Sequence, residues 1–246
     1  MELLKSIKNN IPNAITCLNM LSGSVACILA SFGSQQCGDT GLMCYQMAFI
    51  MIAMAAVFDF FDGFVARLLN AVSPIGKELD SLSDCVSFGL APSLILFFMT
   101  RELYPSSWVA YCALAVAVFG AVRLARFNTD ATQASSFVGL PIPANAIFWI
   151  GFCDYFHSCP ATAAGEYIIL AAIVVLSYAM VSRLRMFSLK FKHYGLRGNL
   201  HRYLLIVGTV ASIATLGVKG MAVAILLYFV LVLVFPRHEN DSHGEN

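Results

Sequence analysis

The chain has 246 residues, of which 59% are hydrophobic and only 12% are charged, and its formal net charge is +1. Soluble globular domains are about 45–50% apolar and about 25% charged, so this composition excludes an ordinary soluble protein and indicates an integral membrane protein. No basic run is interleaved with aromatic residues in solvated sequence, so no nucleic-acid partner is expected.

The apolar stretches predict an all-α, polytopic bundle of about eight transmembrane helices. In chain order they cover residues 14–33, 43–68, 81–100, 107–127, 142–158, 165–183, 202–217 and 219–235. The fifth stretch is short and begins L-P-I-P. The last two are separated only by residues 217–220, which predicts a tight helical hairpin.

We expect three regions: a transmembrane core at 1–200, an additional C-terminal transmembrane hairpin at 201–236 and a disordered tail at 237–246. Lys and Arg are distributed unequally between the two ends of the predicted helices. One end has only Arg101 and Lys219, and the other has Lys5, Lys8, Arg67, Lys77, Arg123, Arg126, Arg183, Arg185, Lys190, Lys192, Arg197, Arg202 and Arg237. The positive-inside rule predicts that this richer end, with both termini, is cytoplasmic.

Four aspartates lie in or beside strongly apolar sequence at this predicted cytoplasmic end. Asp59 and Asp62 are three residues apart and Asp80 and Asp84 are four apart, so on helices each pair shares one face. Unpaired carboxylates are costly in a membrane, and two helix ends with two carboxylates each are suited to a divalent cation, Mg²⁺ or Mn²⁺. The alternative, four helix-end charges that face water, is less consistent with this spacing.

Small and basic residues accompany the aspartates. Gly63 and Gly76 would let a bulky ligand approach the backbone, and Arg67 would bind phosphate through its fork of donors. A carboxylate-bound cation beside an arginine and small residues is typical of a site that handles phosphoryl or pyrophosphate groups.

Further polar residues lie at the same predicted helix ends: Asn13, Thr16 and Asn19, and Arg123, Arg126 and Asn128. They are candidates for ligand contact. Two alternatives stay open, because Asn13 would also serve as a helix cap after a proline, and the two arginines would also reach lipid phosphate from a helix end.

The chain resembles the CDP-alcohol phosphotransferase family, whose signature is D-x-x-D-G-x-x-A-R-x8-G-x3-D-x3-D. Every fixed position is present, at Asp59, Asp62, Gly63, Ala66, Arg67, Gly76, Asp80 and Asp84. Four other stretches resemble the branch of the family that uses L-serine as acceptor: I-P-N-A-I-T-C-L-N-M-L-S-G at 11–23, L-D-S-L-S-D-C-V-S-F-G-L-A-P at 79–92, R-L-A-R-F-N at 123–128 and G-L-P-I-P-A at 139–144. The resemblance implies a six-helix core, to which the C-terminal pair is an addition, and a homodimer.

The resemblance also implies a role for each candidate residue. Asp59 and Asp62 would bind both of two divalent ions and Asp80 one of them, while Asp84, the fourth carboxylate of this metal set, would be the general base. The nucleotide and its diphosphate would be bound by Gly63, Ala66, Arg67, Gly76, Asn13 and Thr16. The acceptor would be bound by Arg123, Arg126 and Asn128.

The implied reaction is metal-dependent transfer of the phosphatidyl group from CDP-diacylglycerol to L-serine, giving phosphatidylserine and CMP, at the cytoplasmic face of the cell membrane. The nearest alternative keeps this chemistry but uses glycerol 3-phosphate or an inositol phosphate, for which the two arginines would supply an anion pocket. A more distant alternative is a metal or ion transporter. A transporter predicts carboxylates near the middle of the bilayer, whereas these lie at one end.

Overall fold

The computed structural model describes residues 2–129, 137–186, 195 and 199–234, and within them the fold is almost entirely helical. The helices are α1 (Glu2–Ser31), α2 (Cys44–Leu68), α3 (Pro74–Asp84), α4 (Ala91–Leu103), α5 (Val109–Cys112), α6 (Leu114–Thr129), α7 (Ile142–His157), α8 (Ala163–Val181), α9 (Leu200–Leu216) and α10 (Gly220–Val234). A π-helical turn, Cys85–Leu90, joins α3 to α4. The prediction of an all-α polytopic protein is confirmed, whereas the predicted tail at 237–246 lies outside the described residues.

Two very short strands are the exception to this helical fold. β1 (Phe137–Val138) pairs antiparallel with β2 (Arg185–Met186), and Phe137 lies opposite Met186. The pair ties the segment before α7 to the segment after α8. Gly139, in the left-handed region at φ 76°, then turns the chain toward α7.

Within the described residues, six helical stretches are long and apolar enough to cross a membrane: Asn10–Ser31, Cys44–Leu68, Pro74–Leu103, Val109–Thr129, Ala163–Val181 and Leu200–Val234. The expected count of eight is therefore not confirmed. α7 has 16 residues, a length of roughly 24 Å at 1.5 Å per residue, and the hydrocarbon core of a bilayer is about 30 Å thick. The last stretch contains two helices, since a 3₁₀ turn at Gly217–Lys219 interrupts it.

α9 and α10 turn back on each other at this interruption. Gly217 has φ 61°, a conformation that favours glycine, and the Ser212 hydroxyl donates to the carbonyl oxygen of Gly220 at 3.1 Å. Leu205 of α9 packs with Leu231 and Val232 of α10. The structure therefore has the helical hairpin that the sequence predicts. That this hairpin is an addition to a core at 1–200 stays a prediction.

The first helix lies unusually close to α3 and the π-helical turn. The Ser83 hydroxyl donates to the carbonyl oxygen of Thr16 at 3.1 Å, and the Ser87 hydroxyl donates to that of Asn19 at 3.0 Å. A Cβ atom on Gly23 would lie 2.3 Å from Ser87 Oγ, so only glycine permits this approach. These contacts fix the polar end of α1 beside the third and fourth aspartates.

Candidate active site

Three of the four aspartates converge where α2 ends and α3 begins. Asp59 and Asp62 come from the last turns of α2, and Asp80 comes from α3. One carboxylate oxygen from each lies within 4.8 Å of the other two. Asp62 is buried, and Asp59 and Asp80 are half-buried. The helical spacing thus directs both pairs toward one place, as the sequence indicates.

Two oxygens of this group have no hydrogen-bond partner among the residues that the structure describes. Asp62 Oδ2 and Asp80 Oδ1 are buried, and neither has a hydrogen bond from any of the described residues. Buried charged oxygens are normally paired or bound to a metal. Carboxylate oxygens are the ligands that Mg²⁺ and Mn²⁺ prefer, so the donor set fits a divalent cation.

Asp84 stands beside this group. It lies one helical turn after Asp80, and both side chains interact with that of Asp59. The Asn19 side chain donates from Nδ2 to Asp84 Oδ1 over a long 3.5 Å contact. Asp84 is therefore next to the carboxylates suited to a cation and also faces a neutral polar side chain of α1.

A cavity of about 310 Å³ opens beside the aspartates. Its lining includes all six residues expected to bind the nucleotide and its diphosphate, together with two aspartates: Asn13, Thr16, Gly63, Ala66, Arg67, Gly76, Asp62 and Asp80. Lys77 lines the same cavity and was not among the predicted site residues. The sequence feature that could have identified Lys77 is its position directly after Gly76. The structure thus places two basic side chains beside the carboxylates.

The two glycines of the signature make room for different neighbours. A Cβ atom on Gly63 would meet no atom within 4 Å, so this position opens the cavity itself. A Cβ atom on Gly76 would lie 3.0 Å from Asn13 Oδ1 and 3.1 Å from Ser73 Oγ. Ser73 caps α3 by accepting a hydrogen bond from the Gly76 amide at 3.0 Å. Gly76 therefore lets α1 approach the start of α3.

Of the expected acceptor contacts, Arg123 is the one that reaches the aspartates. Its Nε atom is buried and has no hydrogen-bond partner among the described residues. The carboxylate that acts on this guanidinium group electrostatically is Asp84, and the guanidinium carbon lies 5.7 Å from the Phe127 ring centroid. A half-buried cation beside Asp84 is suited to an anionic group of an acceptor.

The other two expected acceptor contacts lie elsewhere. Arg126 is exposed and donates from Nη1 to the carbonyl oxygen of Val181 at 3.1 Å. Asn128 donates from Nδ2 to Ser81 Oγ at 2.8 Å, next to Asp80. None of the three expected acceptor contacts, Arg123 included, lines the 310 Å³ cavity. Their assignment to the acceptor stays a prediction, which this geometry does not favour for Arg126.

Asn19 is the polar neighbour of Asp84; the sequence marks it as a polar candidate at a helix end, but it was not among the residues assigned to the metal, the nucleotide or the acceptor. The side chain is 0% exposed. The available signal was its position three residues after Thr16, on the same face of α1. A polar side chain fully buried inside a predicted transmembrane helix is a functional candidate, and the sequence alone does not show which residue it meets.

Carboxylates at two helix ends, beside a cavity with basic side chains, define a membrane-embedded enzyme that handles phosphorylated substrates. Residues 9–182 match the family described as CDP-alcohol phosphatidyltransferase. The chain belongs to this family, which confirms the resemblance seen in the sequence.

Several relatives match the chain over much of its length. A protein of Helicobacter pylori is 32% identical over 229 residues, which cover 91% of this chain and 89% of that protein. A Methanocaldococcus jannaschii protein is 36% identical over 148 residues, or 60% of this chain and 62% of that protein. A Bacillus subtilis protein is 38% identical over 149 residues, or 60% of this chain and 75% of that protein. Each of the three is named CDP-diacylglycerol–serine O-phosphatidyltransferase.

Proposed function

We propose that this chain transfers the phosphatidyl group of CDP-diacylglycerol to L-serine, releases CMP and depends on Mg²⁺ or Mn²⁺, with two ions at the site. The observation that supports this most directly is the convergence of Asp59, Asp62 and Asp80 at the edge of the cavity, with Asp84 beside them. Membership of the family supplies the reaction class, and the names of the relatives supply the acceptor.

The cavity residues are assigned to the nucleotide and its diphosphate. Arg67 and Lys77 place positive charge on one side, and Asn13 and Thr16 of α1 offer polar atoms on another. The open space beside Gly63 admits the bulk of the nucleotide. Bound divalent ions would neutralise charge on the diphosphate and on the departing CMP.

The chemical step is assigned to Asp84 as general base. The serine hydroxyl oxygen forms a bond to the β-phosphorus of CDP-diacylglycerol, and its proton passes to the Asp84 carboxylate. The bond from that phosphorus to the bridging oxygen breaks, and CMP leaves with the electron pair. Arg123 is assigned to the serine carboxylate, because its buried Nε has no partner among the described residues and its charge acts on Asp84.

The site is assigned to the cytoplasmic side of the cell membrane. The two helix ends that hold the aspartates also hold Arg67 and Lys77, at the end of the helices that is rich in Lys and Arg. A soluble nucleotide head would enter there while the acyl chains remain in the bilayer. The predicted homodimer stays an expectation from the family resemblance.

The deciding experiment measures product formation by the purified full chain with CDP-diacylglycerol and Mn²⁺. L-Serine, glycerol 3-phosphate and an inositol phosphate are compared as acceptors, for the wild type, Asp84→Asn and the control Asp39→Asn, whose aspartate is exposed in the α1–α2 loop. We expect phosphatidylserine only with serine, lost in Asp84→Asn and retained in Asp39→Asn. Product only with a phosphorylated acceptor would refute the serine assignment. Metal flux in liposomes without CMP release would support a transporter instead.

A further inference from the structure

Asn19 occupies a fixed place next to Asp84. It is fully buried in α1, and its backbone carbonyl oxygen accepts the Ser87 hydroxyl at 3.0 Å. One turn earlier, the carbonyl oxygen of Thr16 accepts the Ser83 hydroxyl at 3.1 Å. These bonds hold α1 against the residues on both sides of Asp84. The position of the Asn19 side chain relative to Asp84 is thus set by hydrogen bonds from two serine side chains to the backbone of α1.

The nitrogen and the oxygen of the Asn19 side-chain amide differ in their hydrogen bonding. Nδ2 donates to Asp84 Oδ1 at 3.5 Å, an orientation that gives the carboxylate a donor and turns the amide oxygen elsewhere. Oδ1 is buried and accepts no hydrogen bond from any of the residues that the structure describes. Buried polar atoms in native proteins are rarely left unpaired, so this oxygen needs a donor that the described residues do not supply.

Arg123 presents the opposite deficiency near the same carboxylate. Its Nε–H is buried without an acceptor in the described part of the chain, and Asp84 is the carboxylate that acts on it. One unpaired acceptor and one unpaired cationic donor near Asp84 complement a small molecule that has both an ammonium and a carboxylate group. An amino acid has this pair, whereas glycerol 3-phosphate has no charged donor.

We propose that Asn19 is a specificity residue whose Oδ1 accepts a hydrogen bond from the ammonium group of the amino-acid acceptor. This inference rests on the proposed function, since it takes L-serine to be the acceptor. It assigns the two ends of serine to two helices: the ammonium to α1 through Asn19, and the carboxylate to α6 through Arg123. The serine hydroxyl is then directed at Asp84, which contacts Asn19 and interacts electrostatically with Arg123.

The test compares acceptors that each lack one end of serine. 3-Hydroxypropionate is serine without its amino group, and ethanolamine is serine without its carboxylate. The kcat/KM for phosphatidyl-product formation is measured with all three acceptors for the wild type, Asn19→Leu and Arg123→Met. Leucine is close to asparagine in size but offers no polar atom. A ratio between two acceptors does not depend on how much of a preparation is folded.

We expect Asn19→Leu to reduce the preference for serine over 3-hydroxypropionate by roughly ten- to a hundred-fold, the worth of a hydrogen bond to a charged group. Its preference for serine over ethanolamine should change much less. Arg123→Met is the matched control and should show the reverse pattern. Asn13→Leu, on the same helix but in the nucleotide cavity, should raise the KM for CDP-diacylglycerol and leave both acceptor ratios as in the wild type.

Equal losses with serine and 3-hydroxypropionate in Asn19→Leu would overturn the proposal, because they would mean that Asn19 acts only through Asp84. Wild-type kcat/KM with both acceptors would overturn it as well. If Asn19→Leu is inactive with every acceptor, Asn19→Ala is measured in the same way, and the same ratio decides. A wild-type protein that makes no phosphatidylserine would instead refute the proposed function.

Discussion

At the scale of single residues, the four aspartates of the signature occupy two environments. Asp59, Asp62 and Asp80 form a compact group with unpaired buried oxygens. Asp84 adjoins that group but also contacts the neutral amide of Asn19. A carboxylate that accepts a proton must not be fully occupied by a cation. The division into three and one is therefore the arrangement that a cation site with an adjacent base requires.

Replacing Asp84 by Asn should separate chemistry from binding. The amide keeps the size of the side chain but cannot take the serine proton, so we expect kcat to fall by about 10²–10⁴-fold, the usual contribution of a general base. Mn²⁺ binding should be retained, as measured by isothermal titration or electron paramagnetic resonance. Asp62→Asn is the contrasting variant, and we expect it to lose Mn²⁺ affinity. Equal loss of metal by both would contradict the separate role of Asp84.

Gly63 provides a second prediction at this scale. A side chain here meets no protein atom within 4 Å, so Gly63→Val should fold normally while it fills part of the cavity. We expect the KM for CDP-diacylglycerol to rise roughly ten-fold or more, because the valine side chain would occupy space that the nucleotide needs. The lost binding free energy should be about 1–3 kcal/mol, similar to that of one extra or missing methylene group in a pocket. Ala53→Val, at an exposed position of α2, is the control. A higher KM for serine alone would place the nucleotide elsewhere.

Sequence reasoning located the aspartates because their spacing and the helical period together define a shared face. All six residues that the family resemblance assigns to the nucleotide, Asn13 and Thr16 among them, line one cavity, and their role in binding stays a prediction. Sequence reasoning did not show that Asn19 contacts Asp84 or that Arg126 donates to the carbonyl oxygen of Val181, because both contacts depend on which helix lies opposite. Periodicity shows on which face of its own helix a residue lies, but it does not show which residue of another helix lies opposite.

At the scale of the elements, the close approach of α1 to the chain around Asp84 is the main structural device. Two serine hydroxyls bind backbone carbonyl oxygens of α1, and Gly23 lies against Ser87. Hydrogen bonds from serine and contact through small residues are the usual means of helix association in membranes. This contact sets the distance from Asn19 and Thr16 to the aspartates.

Gly23→Ala tests that device. The added Cβ would lie 2.3 Å from Ser87 Oγ and 2.6 Å from Ser87 Cα, so the helices must move apart. Overpacking of this kind costs about 1–3 kcal/mol. We expect a lower thermal midpoint in detergent and a lower kcat per folded protein. Ser24→Ala removes a hydroxyl that donates within α1, to the carbonyl oxygen of Met20 at 2.8 Å, and should change neither much. Wild-type kcat in Gly23→Ala would show that the site tolerates a shift of α1.

At the scale of the whole molecule, the C-terminal helices α9 and α10 pack on each other, and α10 packs on α7. Ala222 of α10 belongs to the same buried cluster as Trp149 and Phe148 of α7. The backbone approach is tight, since a Cβ atom on Gly151 would lie 2.4 Å from the Ala222 amide nitrogen. The family match ends at residue 182, before these helices begin. Their contribution is therefore expected in stability.

Gly151→Leu should confirm or refute that expectation. The leucine side chain meets backbone atoms of Ala222 and Val218, so the hairpin has to move and the thermal midpoint should fall. We expect the KM values for both substrates to stay within about two-fold of the wild type, because Gly151, Val218 and Ala222 do not line the cavity beside the aspartates. Ile147→Ala, on an exposed part of α7, is the control. A selective rise in one KM would show that the hairpin acts on the site.

The π-helical turn directly after Asp84 has a consequence for the register of the whole helical stretch. The Ala91 amide donates to the carbonyl oxygen of Val86, five residues earlier, so the turn contains one residue more than an α-helix would. One residue corresponds to a rotation of about 100° around the helix axis. The turn lets Asp80 and Asp84 face the site while Ile95, Leu96 and Met99 face the core. Deleting one residue between 85 and 90 would rotate α4 by about 100° relative to α3. The aspartates and the core residues of α4 could then no longer both keep their present orientations.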